Sequence, residues 1–202
     1  MDSLFLIVGL GNPGAEYAET RHNVGFMAAE RVAGQFKASW SLENKFKARV
    51  ARFEAGDRKA ILAEPQTWMN SSGEAVLALS QFFKAPAERV LILVDDADLP
   101  FGQIRMRPNG SSGGHHGLES VESHLGTREY ARLRIGIGRT SDGVREIKGY
   151  VLGRFSRAER EWLDLILERV SKQVQTWLAA GAQKAMNEFN GAVGAPPKKE
   201  AK

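Results

Sequence analysis

The sequence contains no cysteine, which excludes disulfides and thiolate chemistry and fits a cytoplasmic protein. It contains no run of about 18 apolar residues, so a membrane-spanning helix is not expected. The opening Met1-Asp2-Ser3-Leu4 shows neither the basic segment nor the small-residue cleavage site of a targeting signal. Charge of one sign is also scarce, because 28 Lys and Arg against 24 Asp and Glu leave a net charge of only +4. That balance permits a polyanionic partner without requiring one. What is present suits a globular chain: 202 residues with 43% hydrophobic content can build one sizeable core. No repeat or linker interrupts it. We therefore expect a single domain over residues 1–190 and a disordered tail over 191–202, where "GAPPKKEAK" is polar and Pro-rich.

The basic residues are unevenly distributed. Arg105, Arg107, Arg128, Arg132, Arg134 and Arg139 open a basic stretch that continues through Arg145, Lys148, Arg154 and Arg157. It reads equally well as a solvated face and as a polyanion-binding surface. Periodicity predicts strands at Leu4 to Val8, Phe46 to Glu54, Lys59 to Glu64, Val90 to Val94, Gln103 to Arg107 and Leu133 to Gly138. Helices are predicted from an Asn23 cap to about Phe36, from Asn70 or Ser71 towards Pro86, and from about His115 to Leu125. The longest helix is expected from Arg157 to about Ala180, with Trp162, Ile166, Val170, Val174 and Trp177 facing the core. Alternating strands and helices predict an α/β fold with a twisted, mixed, mostly parallel sheet flanked by helices.

"GLGNPG" at residues 9 to 14 has the G-x-G-x-x-G spacing of a dinucleotide-binding turn. Such a turn should flow directly into a helix and be followed about 20 residues later by an acid at the end of the next strand. Here Pro13 stiffens the loop and "AEYAETRHN" intervenes before the helix, so the dinucleotide reading is set aside. The loop instead brings an amide, Asn12, to the carboxyl edge of a strand, with His22 and Asn23 just beyond it. Asp95, Asp96 and Asp98 follow the apolar strand "VLILV", so at least one carboxylate should reach the same edge. A carboxylate bonded to one imidazole nitrogen leaves the other basic, and such a pair can activate water. Asn70 is a second amide, able either to cap a helix or to donate to an oxyanion. Ser71 and Ser72 lack a nucleophile elbow. His115-His116 raises a metal site, but no H-x-x-x-H or H-x-E spacing supports one, and no metal is expected.

Six segments then occur in a fixed order: "VGLGNPGAEYAETRHNVGF", "EPQTWMNSSGEAV", "VDDADLPFG", "GGHHGLESVESHLG", "RLRIGIGR" and "GYVLGRF". Together, over residues 8 to 155, they resemble the bacterial-type peptidyl-tRNA hydrolase family. The resemblance implies hydrolysis of the ester joining a peptide to the 3′-terminal ribose of tRNA, by a monomer without metal or cofactor. It further implies His22 as general base, Asp95 as its orienting carboxylate, and Asn12 and Asn70 as groups that position substrate and stabilise the intermediate. Tyr17, Trp68 and Met69 would line the channel for peptide and terminal adenosine, and His115 and His116 would contact substrate. Arg107 and Arg134 would grip tRNA phosphate, with Arg107 standing where lysine is common. One departure is "GGHHGL" in place of the usual "GGHNGL", which puts His116 where an amide is expected. Two other readings predict different behaviour: a non-catalytic RNA-binding relative, which has no reason to keep Asn12, His22, Asn70 and Asp95, and a general esterase, which has no use for Arg107 and Arg134.

Overall fold

The computed structural model describes residues 4–138 and 147–194. Arg139 and Arg145 of the basic stretch lie outside the described residues, as does the Lys148 side chain. The strands are β1 (Phe5–Gly9), β2 (Trp40–Glu43), β3 (Ala48–Ala55), β4 (Arg58–Pro65), β5 (Val90–Asp96), β6 (Gln103–Arg107), β7 (Ala131–Gly136) and β8 (Gly191–Ala192). The helices are α1 (Val24–Gln35), α2 (Ser72–Phe83), α3 (His116–Leu125), α4 (Ile147–Val151) and α5 (Arg157–Phe189).

The strands form one sheet in the order β2-β3-β4-β1-β5-β7-β6-β8. The central strands β4, β1, β5 and β7 pair in parallel. Antiparallel pairing at both margins makes β3 and β6 the strands that run against the rest. The central strands are apolar on both faces because helices cover both. Ile7, Leu91 and Leu93 pack with α1 and α5 through Val24, Val32, Ile166 and Val170. Leu6, Val8, Ile92 and Val94 pack with α2 and α3 through Val76, Leu79, Leu118 and Val121. Each such fully buried side chain contributes roughly 1.5–3 kcal/mol relative to exposure.

The glycine loop serves a close approach of backbones. A Cβ on Gly9 would lie 2.3 Å from the Gly25 carbonyl oxygen, and one on Gly25 would lie 2.4 Å from that of Leu10. Two glycines therefore let the first turn of α1 rest on the end of β1, which brings the residues just before α1 to the carboxyl edge of the sheet.

Several expectations need correction. Asn23 precedes α1, but its side chain makes no capping bond. The segment 69–71 is a 3₁₀ turn, and α2 begins at Ser72. The longest helix runs on to Phe189 through a non-helical Gly181 (φ 83°, ψ 174°), close to the predicted stop. Residues 191–193, expected in the disordered tail, are packed instead: Gly191–Ala192 pairs with β6, and Val193 is buried. Residues 195–202 lie outside the described residues.

Candidate active site

Asn12, His22, Asp95 and His115 reach the carboxyl edge from four different elements. Asn12 lies in the loop after β1, and His22 in the 3₁₀ turn Arg21–Asn23. Asp95 is near the end of β5, and His115 is the N-cap of α3. Arg21 ties the turn that carries His22 to the start of α5. Its backbone N–H donates to the Gly153 carbonyl, Nη1 to the Arg154 carbonyl (2.6 Å) and Nη2 to Glu159 (2.9 Å).

Asp95 is buried and accepts from both imidazoles. His22 Nδ1 lies 3.0 Å from each carboxylate oxygen, and His115 Nε2 lies 2.9 Å from Oδ1. The proton positions follow from what else the rings touch. His115 Nδ1 accepts from the backbone N–H of Gly117 (3.1 Å) and Leu118 (3.4 Å), so it carries no proton and Nε2–H points at Asp95. Asp95 then also receives Nδ1–H from His22, which leaves the His22 Nε2 lone pair free. Burial by itself would push the Asp95 carboxyl up, but the His115 imidazole and then that of His22 outweigh it and hold it well below the usual carboxylate range.

Among the described residues, donor atoms of His22, Asp95 and His115 lie within 4.8 Å of one another, a separation that also suits a metal. A metal would need the His115 Nε2 lone pair, and so a proton on Nδ1, where two backbone N–H groups already point. The donor set matches a hydrogen-bonded proton network instead.

Asn12 is pinned on three sides. Its side-chain oxygen accepts from Met69 N–H (2.8 Å), which turns its amide –NH2 away from that contact. Asn23, itself buried, accepts from Asn12 N–H (3.0 Å) and donates to the Asn12 carbonyl (2.9 Å). Asn23 is thus a positioning residue that its place before a helix had disguised as a cap. A cleft of about 580 Å³ is lined by Asn12, His22, Asp95 and Asp96, by Gly113 to His116 and Arg134, and by Val151 and Leu152.

Of the remaining predicted residues, His115, His116 and Arg134 line this cleft, whereas Tyr17, Trp68, Met69, Asn70 and Arg107 do not. Tyr17 and Trp68 meet edge to face with ring centroids 5.8 Å apart, and Trp68 is 57% exposed, leaving its ring open to a ligand. Met69 is buried, and Asn70 is exposed beside it. His116 is exposed, with Nδ1 3.0 Å from Glu119 Oε2. Arg134 is mostly buried, bonded to Asp96 (3.3 Å) and to the Ser111 and Ser112 carbonyls. Arg107 is exposed on β6 and does not line the cleft. His115, expected as a substrate contact, is engaged at both ring nitrogens, by Asp95 on one side and by the start of α3 on the other.

The peptidyl-tRNA hydrolase family model matches residues 6–200. The chain belongs to the peptidyl-tRNA hydrolase family. It is 44% identical over 195 residues to the peptidyl-tRNA hydrolase of Gloeobacter violaceus, covering 96% of this chain and 98% of that relative. It is 48% identical over 162 residues to that of Prochlorococcus marinus, covering 78% and 80%. The crystal structure of peptidyl-tRNA hydrolase from Acinetobacter baumannii superposes with a TM-score of 0.90 at 35% identity, covering 96% of this chain and 98% of that one. No described helix is long and apolar enough to cross a membrane.

Proposed function

We propose that this chain hydrolyses the ester between a peptide, or an N-blocked amino acid, and the 3′-terminal ribose of tRNA, acting in the cytoplasm as a monomer without metal or cofactor. The observation that carries the reading is the carboxylate shared by two imidazoles, of which one has its second nitrogen engaged by the start of α3. Only His22 can then take a proton without losing a structural bond. His22 Nε2 accepts a proton from water as the water oxygen attacks the ester carbonyl, and Asp95 stabilises the imidazolium that forms. Asn12 donates its amide N–H to the developing oxyanion, and Asn70 positions the acyl chain. Collapse of the intermediate breaks the bond to the ribose oxygen, which takes the proton back from His22. The products are free tRNA and a peptide acid.

An ester expels an alkoxide more readily than an amide expels an amine, so one base and amide donors suffice. Tyr17 and Trp68 offer aromatic faces to the peptide and the terminal adenosine, with Met69 beneath them. Arg107 and Arg134 supply cations for tRNA phosphate.

The test is release of tRNA from N-acetylaminoacyl-tRNA. Wild-type protein should release it at a rate unchanged by EDTA, and Asn12→Ala should lower kcat by about 10²–10³-fold, the usual loss for an oxyanion donor. Wild-type protein that leaves the ester intact would end the reading, and EDTA sensitivity would return attention to a metal.

A further inference from the structure

The chain contains two Asn-Gly pairs, Asn109-Gly110 and Asn190-Gly191, and the fold treats them in opposite ways. Such a pair carries its own chemistry. The backbone nitrogen that follows an asparagine can attack that asparagine's side-chain amide carbon, and a following glycine, with no Cβ, leaves the approach open. The reaction needs both residues free to turn.

Asn190 is not free. Its Oδ1 accepts from the Met106 N–H (2.7 Å) and from Gln173 Nε2 (3.0 Å), and its Nδ2 donates to the Met106 carbonyl (3.1 Å). Its backbone N–H donates to the Met186 carbonyl (3.1 Å), and Gly191 pairs with Ile104 in the sheet. Asn109 and Gly110, by contrast, are both exposed on the loop from β6 to α3. Among the described residues, one surface bond holds the Asn109 side chain, from Nδ2 to Glu129 Oε2 (3.0 Å), and the Gly110 N–H donates to no protein group. Gly110 has φ 140°, a backbone conformation that glycine adopts readily and other residues rarely do.

We propose that Asn109 is a site of spontaneous covalent modification, converted to isoaspartate and aspartate through a cyclic imide with Gly110, and that the conversion loosens the loop bonded to Arg134. The Gly110 nitrogen gives up its proton and bonds to Asn109 Cγ. The Cγ–Nδ2 bond breaks, and Nδ2 leaves with that proton as ammonia. Water then opens the imide ring. Addition at Cγ gives aspartate, and addition at the former backbone carbonyl gives isoaspartate, whose main chain runs on through Cβ and Cγ. The sum is one amide and one water converted to one carboxylic acid and one ammonia, with nothing oxidised or reduced.

The residues just beyond Asn109 feel the change. Arg132 donates to the carbonyls of Gly110 and Ser111, and Arg134 to those of Ser111 (2.9 Å) and Ser112 (3.0 Å). Aspartate at position 109 sets a carboxylate against that of Glu129, where the amide now donates, and the two like charges repel. Isoaspartate instead adds a methylene to the main chain directly before Gly110, which shifts the carbonyls that the two guanidinium groups hold. Gly113, Gly114 and Arg134 line the cleft, so a displaced loop alters its wall. The modification stands on this loop's own chemistry, while its effect on the substrate rests on the functional reading above.

The experiment stores wild type and Asn109→Ser in mildly alkaline buffer, folded and in urea. Proteolysis and mass spectrometry follow the two Asn-Gly peptides, and enzymatic carboxyl methylation counts isoaspartate. In the folded protein the Asn109 peptide should gain the mass difference between –OH and –NH2 more than about tenfold faster than the Asn190 peptide, because Asn190 must first open locally. In urea the two rates should agree within about threefold, since the fold holds neither residue there. Wild type stored until Asn109 is converted should show a KM for N-acetylaminoacyl-tRNA raised about threefold or more, while stored Asn109→Ser keeps its initial KM. An Asn109 that stays unmodified, or equal rates at the two sites in the folded protein, would overturn the assignment. An Asn190 that stays intact in urea would overturn its protection by the fold. Full conversion of Asn109 with an unchanged KM would overturn the effect on the loop. If fresh wild type releases no tRNA, the functional reading fails instead, and the two peptide masses still decide the modification.

Discussion

His115 accepts two backbone N–H groups through Nδ1, and a nitrogen that accepts in this way carries no proton. Its Nε2–H is therefore directed at Asp95, and that carboxylate, fixed between two N–H donors, orients His22. His115→Asn should keep much of the cap, since asparagine is a good N-cap residue, and change thermal stability by less than about 1 kcal/mol. Its kcat should fall about tenfold at most, because the base remains. Asn23 holds both backbone groups of Asn12, so Asn23→Ala should destabilise the fold by about 1–3 kcal/mol, measured by denaturant unfolding, through the buried groups it leaves unpaired. The same variant should lower kcat more than it changes KM. His116 is exposed beside Glu119 and holds no other element in place. His116→Asn should keep or raise turnover, and a loss above about tenfold would reveal a role of its own.

At the scale of elements, the hairpin β3–β4 buries one ionisable side chain, Glu64, beneath two partly exposed ones. Glu64 pairs with Arg49 (2.7 Å), which also reaches Glu30 (3.0 Å). Burial, with the Glu30 charge, pushes the Glu64 carboxyl up to about 8 despite Arg49. The folded state thus binds more protons than the unfolded state between about 4.5 and 8, and stability should fall as pH rises through that window, by up to about 1.4 kcal/mol per pH unit. Glu64→Gln should flatten that slope in thermal melts; an unchanged slope would place the pH dependence elsewhere. Elements with a clear period were legible from sequence: β5, β6, the body of α2 beyond its first turn and the first part of α5 lie where apolar spacing puts them. The edge strand β2 was not, because its burial follows no alternation, and neither was α4, which at five residues is too short to show a period. Asn23 was misread because a capping asparagine and one that grips a neighbouring loop look alike in sequence.

Over the whole molecule, the topology collects what the chain separates. Asn12, His22, Asp95 and His115 span more than one hundred residues, and meet because parallel β1 and β5 end at the edge where α1 and α3 begin. The ordered motifs made the family and most of the site legible; they could not reveal that both nitrogens of His115 are occupied or that Arg134 bonds to Asp96, since those are contacts between distant segments. With a net charge of +4, the overall field of the molecule offers little steering of a polyanion. We propose that His22, and not His115, accepts the proton. Single-turnover release of tRNA from saturating N-acetylaminoacyl-tRNA by His22→Asn and His115→Asn tests it directly. The His22 variant should be slower than wild type by about 10²–10⁴-fold, and the His115 variant by about tenfold at most. Equal losses, or the reverse order, would contradict the assignment.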